Sequence, residues 1–279
     1  MKILISGANG QLGTELKNQL NDRKMTYVAL NKDELDITNF NEVKSIILKE
    51  NPQVVINCAA YTNVDGCEEN EIDAFKVNGI GAQNMAIATN KIKCKIVHIS
   101  TDYVFDGQAN IPYREYDRVN PQSIYGESKF LGEKLVEKFN PKHFIIRTAW
   151  LYGDGNNFVK TMLNLASYKD ELNIVDDQLG TPTSTVDLTR GIINLMETEH
   201  YGIFHGTCEG SCSWYDFAKR IFELKGIDIK LNKIITEELN RLASRPKYSV
   251  LDNFMLKLLG LNTFRHWEDS LEEYLRNEV

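Results

Sequence analysis

The chain has 279 residues, 42% of them hydrophobic and 25% charged, and carries a formal net charge of -7. That length can bury one large core or two modest ones, and the acidic balance argues against nucleic acid or an anionic membrane as a partner. No apolar run approaches the roughly 18–20 residues of a membrane span, and the short apolar start runs directly into a glycine-rich turn, unlike a secretory leader.

The first half alternates strand and helix. The runs "KILIS" (2–6), "TYVAL" (26–30), "QVVIN" (53–57), "KIVHIS" (95–100) and "HFIIRT" (143–148) are short and rich in β-branched residues. Helix-like segments at 10–22, 39–50, 71–91 and 124–139 lie between them. In the second of these, Asn39 and Glu42 form an N-cap pair, and Val43, Ile46 and Ile47 share a face. Strands alternating with helices predict a parallel sheet with right-handed crossovers, and nearly continuous apolar strands predict cover on both faces. After residue 150 the pattern loosens. Helices are expected at 157–168, 185–198, 213–225 and 266–277, and strands near 172–176 and 202–206.

The first turn, "ISGANGQLG", sets Gly7, Gly10 and Gly13 between the first strand and first helix. Gly7 permits a tight turn, Gly10 lets the backbone approach a pyrophosphate at the helix N-terminus, and Gly13 allows close helix–strand packing. After the second strand, Asn31 and Lys32 stand where an acidic residue would hold a ribose 2′-hydroxyl. Lys32 suits a 2′-phosphate, but a solvated lysine explains it as well, so NADH and NADPH both stay open.

Five cysteines at 58, 67, 94, 208 and 212 suit buried thiols in a reducing cytoplasm. Cys208 and Cys212 lack the cluster that would complete a metal site. Two tyrosines are followed four residues later by lysine, Tyr125 with Lys129 and Tyr215 with Lys219. Chance predicts roughly one such pair, so context must decide between them. "STDYVF" (100–105) ends the fourth strand ahead of "SIYGESK" (123–129). A ketone reduction needs a proton donor to oxygen. A tyrosine can serve if a lysine one turn away offsets the phenolate, and the Thr101 hydroxyl can hold the carbonyl oxygen. Tyr215 and Lys219 have no such strand end before them and are expected to be a packing tyrosine and a solvated lysine.

These motifs resemble the extended short-chain dehydrogenase/reductases. The resemblance implies a Rossmann-type doubly wound parallel sheet with a smaller, interleaved C-terminal α/β substrate domain. The dinucleotide-binding part would take 1–150 plus roughly 184–208, and the substrate part roughly 151–183 and 209–279. It implies Thr101, Tyr125 and Lys129 as catalytic residues. The cofactor would lie along Gly7, Asn9, Gly10, Gln11, Leu12, Gly13, Asn31, Asp36, Ile37, Ala59, Ala60, Tyr61, Asn78 and Ser100, besides Tyr125 and Lys129.

Further segments narrow it. "STDYVFDG", "NPQSIYGESKFLGEK", "IIRTAWLYG", "NNFVKTMLNLA", "DDQLGTPTST" and "LASRPKYSVLD" occur in that order over nearly the whole chain, which resembles the family of dTDP-4-dehydrorhamnose reductases. That resemblance implies NADPH- or NADH-dependent reduction of dTDP-4-dehydro-L-rhamnose to dTDP-L-rhamnose, in the cytoplasm, by a monomer or homodimer. Thr101, Asp102, Tyr103 and Val104 would border the sugar, Trp150 would form an apolar wall, and Gln178, Pro182 and Arg245 would line the nucleotide–diphosphate side. Arg245 before Pro246 also suits a pyrophosphate by its planar fork, though a solvated loop charge explains it equally. A metal-bridged pairing through Glu15, Glu268, Glu272 and Glu273, with magnesium as a possible ion, finds no support beyond the resemblance, because acidic solvated helix faces explain these residues. Two other functions fit the same motifs: a nucleotide-sugar epimerase or epimerase-reductase, and a non-catalytic regulatory subunit of another enzyme. Retention of Thr101, Tyr125 and Lys129 favours an enzyme.

Overall fold

The computed structural model describes residues 1–277. Five strands occupy the expected runs: β1 (Lys2–Ser6), β2 (Thr26–Leu30), β3 (Val54–Asn57), β4 (Lys95–Thr101) and β5 (His143–Thr148). With Gly202–His205 they form one six-stranded sheet in the order β2, β1, β3, β4, β5, Gly202–His205, and every pairing is parallel. The strand order reverses at β1, where the chain steps out to β2 and then returns to β3 on the other side. In an open α/β sheet, the crevice beyond the strand ends at such a reversal is where ligands bind.

Alternate residues of each strand feed two separate cores, which is why the strands are apolar throughout. Ile3, Ile5, Val54, Ile56, Phe144 and Ile146 face the helix α1 (Gln11–Asp22) and the helix Thr185–Met196. Leu4, Val55, Ile96 and Ile145 face α2 (Phe40–Glu50) and the helix Ala82–Lys91. Leu188, Ile192 and Met196 are fully buried, each contributing about 1.5–3 kcal/mol of transfer free energy. This is the doubly wound Rossmann-type α/β fold.

Where a continuous helix is expected over 71–91, the structure has a short helix Glu71–Ala74, a wide π-helical turn Phe75–Gly81, and then Ala82–Lys91. A further helix, Val64–Glu69, precedes them. The last expected core helix runs Ile124–Phe139. Ser123 caps it by accepting from the Gly126 amide, and it ends at Asn140, just before Pro141.

A third core, away from the sheet, collects Tyr152, Val159, Met162, Ile174, Phe217, Ile221, Trp267 and Leu271. Its elements are the helices Phe158–Ala166, Trp214–Lys225 and Trp267–Asn277 and a two-stranded parallel pair, Glu171–Val175 with Lys230–Ile234. The strand Lys230–Ile234 is not expected from its sequence, because its alternating lysines and asparagine leave it half-exposed.

Candidate active site

The C-terminal strand ends open onto a cleft of about 810 Å³. One wall is the glycine turn. Gly7 takes a left-handed φ of +70°, and an added Cβ there would sit 2.7 Å from the Ala59 nitrogen. At Gly13 a Cβ would fall 2.7 Å from Ala8 Cα. Gly10 differs, because its φ is -76° and a Cβ would meet no atom nearer than the Gly7 carbonyl at 3.4 Å. Nothing in the protein requires glycine at position 10, whereas a phosphate seated on the helix end would. Gly10 also leaves the first turn of α1 without a side-chain cap, and the Gln11 Oε1 beside it is buried without a partner. These are unmet polar groups of the kind a dinucleotide satisfies.

Asn9, Leu12, Asn31, Asp36, Ile37, Ala59, Ala60 and Tyr61 also line the cleft, as does Lys32. Asn31 is committed to its own turn, accepting from the Asp33 and Glu34 amides. Asp36 likewise binds the Thr38 amide and hydroxyl, which hold its carboxyl below the ordinary range. Asn78 does not line the cleft. It sits in the π-helical turn, where its carboxamide joins both backbone groups of Tyr61 to the Ser128 hydroxyl. It fixes a wall of the site instead of forming one.

At the other end, Ser100, Thr101, Asp102, Tyr103, Tyr125 and Lys129 converge. Thr101 terminates β4 and caps the next turn by accepting from the Tyr103 amide. Its hydroxyl donates to Asp102 Oδ1 at 2.9 Å and lies in hydrogen-bonding reach of the Tyr125 phenol. Burial pushes Tyr125 well above the usual phenol range, with the Thr101 hydroxyl opposing and Asp102 adding to it. Lys129 Nζ donates to the Ile99 carbonyl at 2.6 Å, and burial lowers its ammonium to about 8, against the pull of Glu133 and Cys58. Asp102 is raised to about 6 by burial, with Ser249 and Thr101 opposing. Its Oδ2 makes no well-formed hydrogen bond. The Thr148 hydroxyl, also in the cleft, is orphaned in the same way. Ser100 gives its hydroxyl proton to Glu133, so its oxygen faces the cleft as an acceptor only.

The third wall is aromatic. Trp150, at a left-handed φ of +46°, stacks on Trp214 with ring centroids 3.5 Å apart and planes 7° from parallel. The bare backbone of Gly180 packs against the Trp150 indole. Trp214 is not singled out by the sequence. It arrives from the helix Trp214–Lys225, and its Nε1 donates to Gln178 at 3.1 Å. Gln178 therefore stands behind the wall and does not line the cleft, and neither do Val104, Pro182 and Arg245. Val104 is fully buried in a cluster with Phe105, Tyr113 and Leu251. Pro182 is buried, and Arg245 is bound to Asp65.

Residues set aside in the sequence sit elsewhere. Tyr215 packs under Lys233, and Lys219 is exposed and pairs with Glu223. Glu268, Glu272 and Glu273 pair with Arg220, Arg276 and Arg265. Glu15 accepts from Gln19 and Asn18.

The chain matches the family model described as the RmlD substrate binding domain over residues 1–279. A dTDP-4-dehydrorhamnose reductase of Aggregatibacter actinomycetemcomitans is 44% identical over 266 residues, covering 90% of each chain. A crystal structure of such a reductase from Clostridium acetobutylicum is 54% identical, with TM-score 0.98 and coverage of 100% of this chain and 99% of that one. Another, from Bacillus anthracis in complex with NADP, is 42% identical with TM-score 0.97 and 99% coverage of both.

Proposed function

The chain belongs to the RmlD substrate binding domain family, and from that premise we propose how its cleft performs the family's reaction. The protein is an NAD(P)H-dependent oxidoreductase of the dTDP-4-dehydrorhamnose reductase type, reducing the 4-keto group of dTDP-4-dehydrorhamnose to give dTDP-L-rhamnose.

The observation that carries the residue roles is the meeting of Thr101, Tyr125 and Lys129 at one end of a cleft whose other end is the open glycine turn. The turn and the N-terminus of α1 suit the pyrophosphate, with Gly10 giving it room. Lys129 suits the nicotinamide ribose. When bound, the reduced nicotinamide supplies the hydride. The Thr101 hydroxyl, whose proton goes to Asp102 Oδ1 in this structure, turns that proton to the substrate carbonyl oxygen and steadies charge that gathers there. Tyr125 donates the proton to that oxygen. Burial favours its protonated form, so it enters the reaction as an acid, and the Lys129 ammonium offsets the phenolate left behind. The unpaired Asp102 Oδ2 suits a sugar hydroxyl, and the aromatic wall of Trp150 and Trp214 suits the apolar side of a deoxysugar. Arg245, Gln178 and Pro182 belong to the nucleotide side through the segments they hold in place. On this reading, residues 1–150 with 184–208 hold the cofactor, and residues 151–183 with 209–279 hold the nucleotide sugar.

The test is consumption of reduced cofactor, followed by absorbance, with 4-keto dTDP- and GDP-sugars and with NADH and NADPH separately. Stoichiometric oxidation with the dTDP-4-keto sugar is expected. Interconversion of sugars without net oxidation would mean an epimerase.

A further inference from the structure

Tyr125, Lys129 and Glu133 recur at intervals of four along the helix Ile124–Phe139, which places them on one face, a turn apart. Lys129 and Glu133 dock on consecutive residues of β4. Lys129 Nζ donates to the Ile99 carbonyl at 2.6 Å, and the Ser100 hydroxyl donates to Glu133 Oε1 at 2.5 Å. From β5, Arg147 donates Nε to Oε1 at 2.9 Å and Nη2 to Oε2 at 2.8 Å. The Glu133 and Arg147 side chains are 1% and 3% exposed.

A buried ion pair is often no more stabilising than apolar residues of the same volume. Stability therefore does not account for a carboxylate here, whereas its place one turn from Lys129 gives it a use. Burial draws Lys129 toward its neutral amine, and Glu133 is the largest influence opposing that. The other titratable groups facing Lys129 do less. From the end of β3, Cys58 is held as a neutral thiol by burial, pushed up to about 12. From β4, His98 is held neutral by burial and by Lys129 itself. Tyr125, on the same helix, is held as a neutral phenol, with Asp102 beside it. Glu133 is faced in turn by Arg147, whose remaining nitrogen donates to the Glu115 carbonyl at 3.3 Å and whose charge also bears on His205 from the sixth strand.

We propose that Glu133 is a positioning residue for the reduction: its carboxylate, clamped by Arg147 and Ser100, keeps the Lys129 ammonium charged beside Tyr125. Arg147 tempers the same field, so the pair together sets the upper pH at which the site works. This rests on the role given to Lys129 above.

The test is the pH dependence of kcat/KM, which reports groups of the free enzyme, with thermal unfolding recorded alongside. In Glu133→Gln the alkaline limb should move down by about one to two pH units, a roughly ten- to hundredfold deficit at fixed pH on the falling limb that narrows toward acid. In Arg147→Met the limb should move up. Loss of stability slows the enzyme at every pH and cannot produce opposite shifts. Should Glu133→Gln fail to fold with Arg147 left unpaired, Glu133→Gln/Arg147→Met leaves no orphan charge. Its limb should still lie below wild type, because the nearer charge dominates. A limb fixed at the wild-type position, with a uniform loss at all pH, overturns the proposal. Lys129→Met, measured in parallel, separates the two claims. Wild-type turnover there would remove Lys129 itself from the chemistry, whereas a slow Lys129→Met with unmoved limbs in the Glu133 variants overturns the role of Glu133 alone.

Discussion

Arg245 grips Asp65 with both terminal nitrogens, at 3.0 and 2.9 Å, although 180 residues separate them. The same carboxylate accepts from the Ala243 amide at 3.0 Å and lies 3.6 Å from Arg241. One side chain on the helix after β3 thus anchors the whole segment 241–245 that descends from the smaller core. These bonds hold the Asp65 carboxyl below the ordinary carboxylate range. The guanidinium also reaches Tyr103 electrostatically, where it opposes the upward push of burial and Asp102.

Arg245→Lys keeps the charge and loses the two-pronged grip. We expect Kd for the nucleotide sugar to rise about three- to tenfold, equivalent to one or two charge-assisted hydrogen bonds diminished. NAD(P)H affinity should change less than twofold. Isothermal titration with each ligand checks this, and equal weakening of both would make Arg245 a strut for the fold only.

Tyr125→Phe should lose roughly 10²–10⁴ in turnover, the usual worth of a general acid, while keeping cofactor affinity because the ring remains. Tyr215→Phe should stay within about twofold of wild type, since its ring packs under Lys233 outside the cleft. Steady-state kinetics at saturating substrate decide between them. A dead Tyr215→Phe beside an active Tyr125→Phe would displace the whole catalytic assignment.

The glycines should separate by what they obstruct. Gly10→Ala has an ordinary φ and makes no contact closer than 3.4 Å, so its melting temperature should remain near wild type. Its NAD(P)H binding should weaken by about tenfold or more, the worth of one lost phosphate contact. Gly13→Ala drives a methyl into the backbone of Ala8 and should cost about 1–3 kcal/mol of stability. Unimpaired cofactor binding by a folded Gly10→Ala would argue against a phosphate at that turn.

Asp102 provides a pH signature of stability. Its carboxyl rises from 3.8 to about 6 in the folded protein, so between those values the native state binds more protons than the unfolded chain. Stability contributed by this group is therefore present in acid and lost as pH rises through about 6. Asp102→Asn should raise the unfolding free energy at pH 7.5 by roughly 1–3 kcal/mol and leave it little changed at pH 4. Chemical denaturation at the two pH values measures this, and equal effects at both would deny the buried charge. Turnover should fall as stability rises, because the amide that replaces the carboxylate is a weaker acceptor for a sugar hydroxyl.

Local signals were legible in proportion to how local their physics is. The helix Ile124–Phe139 follows from a serine cap, an apolar face and a closing proline, all within its own span. The glycine turn announces itself because Gly10 and Gly13 close on Gly7 and Ala8 a few positions away, although the neighbour that confines Gly7 is the distant Ala59. Asn78 can be placed on its helix, but the π-helical widening around it is decided by Tyr61 and Ser128, which no local pattern marks. Trp214 escapes a sequence reading because a tryptophan opening an amphipathic helix resembles a core residue. Only the return of the chain to Trp150 makes it a wall. Arg245 is legible as a constrained cation, but its grip on Asp65 depends on a fold-wide approach that spacing cannot express.

The sixth strand of the main sheet, Gly202–His205, is laid down only after the chain has left that sheet at Thr148 and made the short strands and helix of 151–184. During synthesis β5 therefore waits as an unpaired edge while about fifty residues emerge, a template for any stray strand until its own neighbour arrives. The main sheet and the smaller core beside it are also stitched together by more than one crossing of the polypeptide. Cleavage at a single linker cannot release either as a finished unit, so limited proteolysis should yield nicked but associated fragments in place of a free six-stranded half.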